Sequence, residues 1–230
     1  MSGRRAATLA TIADAVVAAA GGDGPLRVGV DGVDGSGKTH FADELAAVLA
    51  QRDLAVARAS IDGFHRPAAA RYRRGRTSPE GFYHDSYDLD ALRGLLLDPL
   101  APGGDRQVVR AIHDVDAERP VPHVVEDLSG VRVVVVDGIF LHRPELRDSW
   151  DFTVFLDVDF AVSVARMAGR DGGDPSRDSP SNRRYVEGQR LYLAGCDPRR
   201  RATVVVDNDD LADAHLVPAT ARDAPLDGDG

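Results

Sequence analysis

Residues Gly32-Val33-Asp34-Gly35-Ser36-Gly37-Lys38-Thr39 carry the spacing of a phosphate-cradling P-loop, and each residue type has a task in that chemistry. Glycine at 32, 35 and 37 lets backbone N–H groups turn inward on an anion with no Cβ in the way. A helix beginning at Lys38 aims its positive end at the same anion. The Lys38 ammonium can neutralise β- and γ-phosphates, and the Thr39 hydroxyl can ligate Mg²⁺. Asp34 and Ser36 complete the nucleotide-contacting set. His40 adjoins the set and is counted with it, although it also reads as a helix-surface residue. ATP and Mg²⁺ are the expected bound groups. Of the 28 basic residues, Lys38 alone is lysine and the rest are arginine. Codon bias accounts for the arginines; a lysine that persists under such bias is one needed as a compact ammonium rather than a planar guanidinium.

Asp137 closes the apolar run of residues 131–136 and fits the metal-side carboxylate of P-loop proteins, with a simple turn former as the other reading. For these groups to meet, the elements around them must alternate. Residues 26–30, 54–61, 131–136, 152–158 and 202–206 read as strands. Residues 38–51, 88–97, a stretch ending near 167, and 182–193 read as helices. Residues 66–80 read as loop, and 107–115 with 121–125 as a hairpin around Glu118-Arg119-Pro120. The pattern predicts an α/β fold of three layers, the P-loop NTPase type with a mainly parallel central sheet. Ligands of such sheets gather at the carboxyl ends of the strands. The residues with chemical potential fall there: Asp31 and the glycine loop, Asp62-Gly63-Phe64-His65, and Asp137-Gly138.

Composition sets the outer limits. The 230 residues are 43% hydrophobic and 28% charged, the balance of a folded globular domain rather than a disordered chain. A single cysteine, Cys196, excludes a disulfide scaffold and offers no metal cluster. No apolar run is long enough to span a bilayer. The net charge of −9 argues against a nucleic-acid coat, and no nucleic-acid or membrane partner is expected. Arg4-Arg5 before an Ala/Val-rich stretch imitates an export signal, but Asp14 interrupts it and the apolar residues fall at helical spacing. The segment therefore reads as a docked amphipathic helix in a cytoplasmic protein. One domain is expected over residues 1–217, with that helix at 1–21, an acceptor-binding insertion at 63–126, a lid at 170–182, and a disordered tail at 218–230.

Further motifs narrow the class. Gly29-Val-Asp-Gly-Val-Asp-Gly-Ser-Gly-Lys-Thr39 resembles the opening of the uridine kinase and phosphoribulokinase family. Ser60-Ile-Asp62-Gly-Phe64-His65-Arg66 is similar to its second-strand motif, and residues 77–88 resemble the acceptor segment of uridine kinases. Val135-Val-Asp137-Gly138-Ile-Phe140 resembles the family's Glu-Gly-Ile strand, with Asp for Glu. Arg166, Arg170 and Asp171 resemble the start of its arginine-bearing lid. A GTPase is excluded, because its guanine-reading Asn-Lys-x-Asp needs a second lysine.

The resemblance implies phosphoryl transfer from ATP·Mg²⁺ to the 5′-hydroxyl of a nucleoside, uridine or cytidine, by a small-molecule kinase, with a homo-oligomer compatible. Asp62 is the implied acceptor of the hydroxyl proton and is counted with Thr39 and Asp137 on the metal side. Lys38, Arg166 and Arg170 would offset charge on the transferring phosphoryl. Phe64, His65, Tyr83, His84, Asp85 and Tyr87 would line the acceptor site. Either His84 or Asp85 falls at the ribose-gripping position, and Asp85 is taken because a carboxylate suits two vicinal hydroxyls. His113 stands where uridine kinases place Tyr-Asp beside the base, or is a plain hairpin residue. Other acceptors on the same fold are pantothenate, a sugar, a sugar phosphate held by Arg71, Arg73, Arg74 and Arg76, or glycerate. A non-catalytic nucleotide-binding regulator is the remaining alternative.

Overall fold

The computed structural model describes residues 3–22 and 24–219. Helix α1 (Gly3–Ala19) docks on the body through Leu9, Ile12, Ala13 and Val16. Arg5, read as half of an export-like pair, is instead buried and bonded to Glu44, Asn208 and the Leu211 carbonyl. The tail expected at 218–230 lies outside the described residues beyond position 219. Among the described residues no helix is long and apolar enough to cross a membrane.

Strand β1 (Leu26–Gly32) shows why the centre of the sheet is buried on both faces. Val28 and Val30 meet the layer of α1 and of α2 (Lys38–Ala50), where Phe41, Leu45 and Leu49 form the facing stripe. Gly29 faces the other layer, where an added Cβ would lie 3.1 Å from the Trp150 ring. That second layer is built on Phe64, Leu92, Leu96, Phe140 and Tyr192.

Four more elements complete the frame for the site: β2 (Val56–Ser60), a short helix α3 (Pro79–Asp85), β3 (Val133–Gly138) and β4 (Phe152–Asp157). Beyond them lie helices α4 (Phe160–Asp171) and α5 (Arg183–Cys196), then β5 (Val204–Asp207) and β6 (His215–Val217). The sheet order is β6-β5-β4-β1-β3-β2. All pairs are parallel except β5 with β6, an antiparallel edge strand that apolar patterning did not reveal. The fold is the three-layer α/β P-loop type, with helices on both faces. Register matters most here: Val30 pairs with Asp137, and Ser60 pairs with Asp137. The ends of β1, β2 and β3 thus deliver the phosphate loop, Asp62 and Asp137 to one edge.

The segment 63–126 departs from expectation. The residues read as loop contain the start of α3, where Ser78 Oγ accepts from Gly81 N at 2.9 Å and Pro79 fills the first turn. Ser-Pro-Glu is a helix-start signal that composition masked. The single hairpin resolves into two short ribbons, Gln107–Val108 with Glu126–Asp127 and His113–Asp114 with Arg119–Pro120. Pro120 and Pro122 lack the N–H groups that a longer ladder requires.

Candidate active site

The loop after β1 takes the shape its glycines permit. Gly35 (φ 72°) and Gly37 (φ 86°) are left-handed. A Cβ at Gly35 would sit 2.2 Å from the Ser163 carbonyl oxygen, so only glycine fits. Lys38 Nζ donates to the Val33 carbonyl at 2.8 Å and so arches back across the loop. Asn208, fully buried at the end of β5, donates to the Ser36 carbonyl at 2.7 Å and braces the loop from below. The lining of the hollow above the loop, about 170 Å³, includes Asp34, Gly35, Gly37, Lys38, Thr39, Asp62, Asp137 and Arg170. His40, exposed, also reaches its wall.

The metal side consists of hard oxygen donors. Thr39 Oγ1 donates to Asp137 Oδ2 at 2.9 Å, and Arg58 holds the other Asp137 oxygen at 2.8 Å. Among the described residues no cluster of three or more His, Cys, Asp or Glu side chains could hold an ion by itself. Magnesium suits such a site, because it is commonly held by one or two carboxylates plus substrate phosphates and water. The residues present therefore fit it.

Asp62 sits on a 3₁₀ turn (Ile61–Phe64) capped by Ser60, whose Oγ accepts from Asp62 N at 3.2 Å. The Asp62 carboxylate itself caps nothing. Its Oδ1 accepts from the Tyr87 hydroxyl at 3.0 Å, leaving Oδ2 without a partner among the described residues. Burial, with Asp62 and Asp34 nearby, pushes the Tyr87 phenol well above its ordinary value, so it stays a donor. The His65 ring lies 4.4 Å from the Tyr87 ring, and its Nδ1 meets the Asp62 carbonyl at 2.9 Å. Because that carbonyl only accepts, Nδ1 carries the proton. Burial pushes the His65 imidazole below its ordinary value, against the opposing pull of Asp62.

A second cavity of about 480 Å³ opens beyond Asp62. Asp34, Asp62, Tyr87 and Arg170 wall both this cavity and the hollow over the loop. Its far wall is aromatic, with Tyr72, Phe82 and Tyr185. Phe82 and Tyr185 pack edge to face at 5.1 Å, and the Arg184 guanidinium lies 4.9 Å from the centre of the Tyr72 ring. Nothing in the spacing of Tyr72, Tyr185 and Arg184 marks them as acceptor residues, yet all three line this cavity.

Other expected acceptor and catalytic residues lie elsewhere. Phe64 is fully buried and packs in the core. The Tyr83 hydroxyl meets Cys196 Sγ at 3.3 Å, and Arg143 covers its ring. His84 is exposed beside Tyr83. Asp85 is buried, with one oxygen taken by Arg73 at 2.7 Å and the other by Arg74 at 2.9 Å. His113 is buried with its Nε2 3.6 Å from Glu118, outside the cavity wall, although Val115 and Asp116 of the same ribbon reach it. Arg166, expected beside Arg170, donates instead to the carbonyls of Asn208 and Asp209 at 3.0 and 2.7 Å. Both bonds are made by Nη2, and they hold the guanidinium away from the cavity. Arg170 reaches both hollows while pairing with Asp171 at 2.7 Å.

Behind the loop, Asp31 meets partners that its place at a strand end did not disclose. Asp31 is fully buried and accepts from Gly32 N at 2.7 Å, from His142 Nδ1 at 2.6 Å and from the Tyr192 hydroxyl. A carboxylate inside an apolar strand is itself the signal that partners exist. Tyr192→Phe removes one donor and is expected to destabilise the protein by about 1.5 to 3 kcal/mol in urea unfolding, through the buried charge it leaves less satisfied. An unchanged midpoint would show that Tyr192 contributes only its ring.

The model of the Phosphoribulokinase / Uridine kinase family matches residues 27–180. A uridine kinase of Schizosaccharomyces pombe is 26% identical over 76% of this chain and 40% of its own length. Uridine-cytidine kinase B of Dictyostelium discoideum is 27% identical over 66% of this chain and 61% of its own. The chain thus spans less than two thirds of these relatives. Among solved structures, a possible uridine kinase from Bacillus stearothermophilus superposes with a TM-score of 0.68 at 25% identity, covering 86% of this chain and 96% of that one.

Proposed function

Because the chain belongs to the phosphoribulokinase / uridine kinase family, we propose that it is an ATP-dependent kinase whose acceptor is a nucleoside, phosphorylated at its 5′-hydroxyl, with uridine or cytidine foremost. The observation that carries this reading is the position of Asp62, in the wall shared by the phosphate hollow and the larger aromatic cavity. A donor phosphate over the loop and a hydroxyl in the cavity would meet beside its unpartnered oxygen.

Phosphoryl transfer needs alignment, charge neutralisation and a proton acceptor more than covalent help. The loop amides and Lys38 hold the donor. Asp62 takes the hydroxyl proton, and Tyr87 fixes the carboxylate by occupying Oδ1. Arg170 offsets charge on the phosphoryl in transit. Thr39 and Asp137 would hold Mg²⁺, which when bound screens the phosphate oxygens.

The aromatic wall of Tyr72, Phe82 and Tyr185 offers stacking faces for a planar base. A sugar phosphate is less well served. Arg73 and Arg74 are bound to Asp85, Arg71 to Glu118, and Arg76 covers the Tyr72 ring. A coupled ADP-release screen over nucleosides, pantothenate, sugars, sugar phosphates and glycerate tests the assignment. The expected result is turnover with uridine or cytidine. Turnover confined to a non-nucleoside acceptor overturns it.

A further inference from the structure

An acidic side chain inside a phosphate cradle is an electrostatic anomaly. It repels the anion that the surrounding amides and Lys38 attract. Asp34 is such a residue. Its position in the wall of both the phosphate hollow and the acceptor cavity shows that it faces the junction rather than the cradle alone. The charged groups acting on it are Lys38, Asp62, Arg170 and His65, and its carboxylate makes no hydrogen bond or ion pair among the described residues. The carboxylate expected to grip the acceptor is in the opposite condition: both Asp85 oxygens are bonded to arginines, outside the cavity wall.

We infer that Asp34 has taken over the acceptor-gripping role: its carboxylate accepts hydrogen bonds from hydroxyls of the acceptor next to the one phosphorylated by way of Asp62. This rests on the phosphoryl-transfer reading given above and adds a substrate class to it. The acceptor must be neutral and carry at least one further hydroxyl near the reacting one, as a ribose does. An acceptor already phosphorylated at that position is repelled by Asp34 and Asp62 together. The state of the free site agrees with this. Burial pushes the Asp34 carboxyl above its ordinary value, with Lys38 opposing, which is the condition of an anion short of donors. Acceptor hydroxyls would supply them.

The test compares Asp34→Asn, Asp34→Ser and Asp85→Asn with the wild type. The readouts are KM for acceptor and for ATP, the Mg²⁺ requirement, acceptor binding without ATP by calorimetry, and thermal melting to verify folding. Uridine, 2′-deoxyuridine and 3′-deoxyuridine are the acceptors. Both Asp34 variants are expected to raise KM for uridine by about 10- to 100-fold, the value of a hydrogen bond to a charged group, and to weaken uridine binding in parallel. KM for ATP should stay near wild type or fall, since an anion beside the phosphates has gone. The wild-type preference for uridine over one deoxy analogue should collapse in these variants and persist in Asp85→Asn. A rise in KM for ATP or in the Mg²⁺ requirement with uridine binding unchanged overturns the inference and assigns Asp34 to the nucleotide. So does loss of uridine affinity in Asp85→Asn alone. A wild type inactive on nucleosides but active on another acceptor defeats the nucleoside reading only. The Asp34 variants are then read on that acceptor, and turnover restricted to phosphorylated acceptors overturns the Asp34 assignment as well. A wild type that turns over no acceptor overturns both.

Discussion

Asp62→Asn is expected to lower kcat by about 10²- to 10⁴-fold, the usual contribution of a positioned general base, while ATP affinity stays near the wild-type level. The substitution is nearly isosteric, and the amide oxygen still accepts from the Tyr87 hydroxyl, so the turn Ile61–Phe64 keeps its shape. What disappears is the capacity of the free oxygen to take a proton. Steady-state kinetics with parallel ATP-binding titrations read the difference. A variant that keeps kcat but needs more Mg²⁺ would make Asp62 a metal ligand instead. A variant with unaltered kinetics would remove it from the site.

Lys38→Met should lower kcat/KM by about 10²- to 10³-fold, the range for losing one preorganised donor to developing charge. Lys38→Arg should restore little. The ammonium reaches back to the Val33 carbonyl at 2.8 Å inside a loop closed by Gly35 against Ser163, and a planar fork needs more room than that arch leaves. Because Lys38 is the only lysine of the chain, amine acetylation followed by mass spectrometry reports on this side chain directly. ATP with Mg²⁺ should protect it. Equal labelling with and without nucleotide would separate Lys38 from the phosphates, and full activity in Lys38→Met would do so more severely.

Local spacing made the phosphate loop and the strand ends readable. The glycines, Lys38 and Thr39 form one contiguous run, and the valines of β3 can be buried on both faces only in the middle of a sheet. The same holds for Asp62 and Asp137, since strand register fixes where they emerge. Side-chain partners chosen by tertiary packing were not readable. Asp85 stands where the acceptor segment leads one to expect a ribose contact, yet Arg73 and Arg74, brought round by the helical turn of residues 68–71 and by α3, neutralise it. Arg166 has the right helix and the wrong neighbours, because β5 ends beneath it and offers two carbonyls. Asn208 braces a loop 172 residues away, and His142 meets Asp31 across 111. No sequence window contains such pairs. The short ribbons of the segment 107–127 blurred for another reason: with prolines at 120 and 122, pairing breaks before it becomes periodic.

The proposed transfer moves a phosphate from over Lys38 to a neutral hydroxyl beside Asp62. ³¹P NMR of the wild-type protein turning over ATP, Mg²⁺ and uridine observes that transfer itself. A 5′-phosphomonoester of uridine should grow in step with ADP, one for one, and be absent when Asp62→Asn replaces the wild type over the same interval. ADP and inorganic phosphate without the ester, or ester formed equally by both proteins, would contradict it.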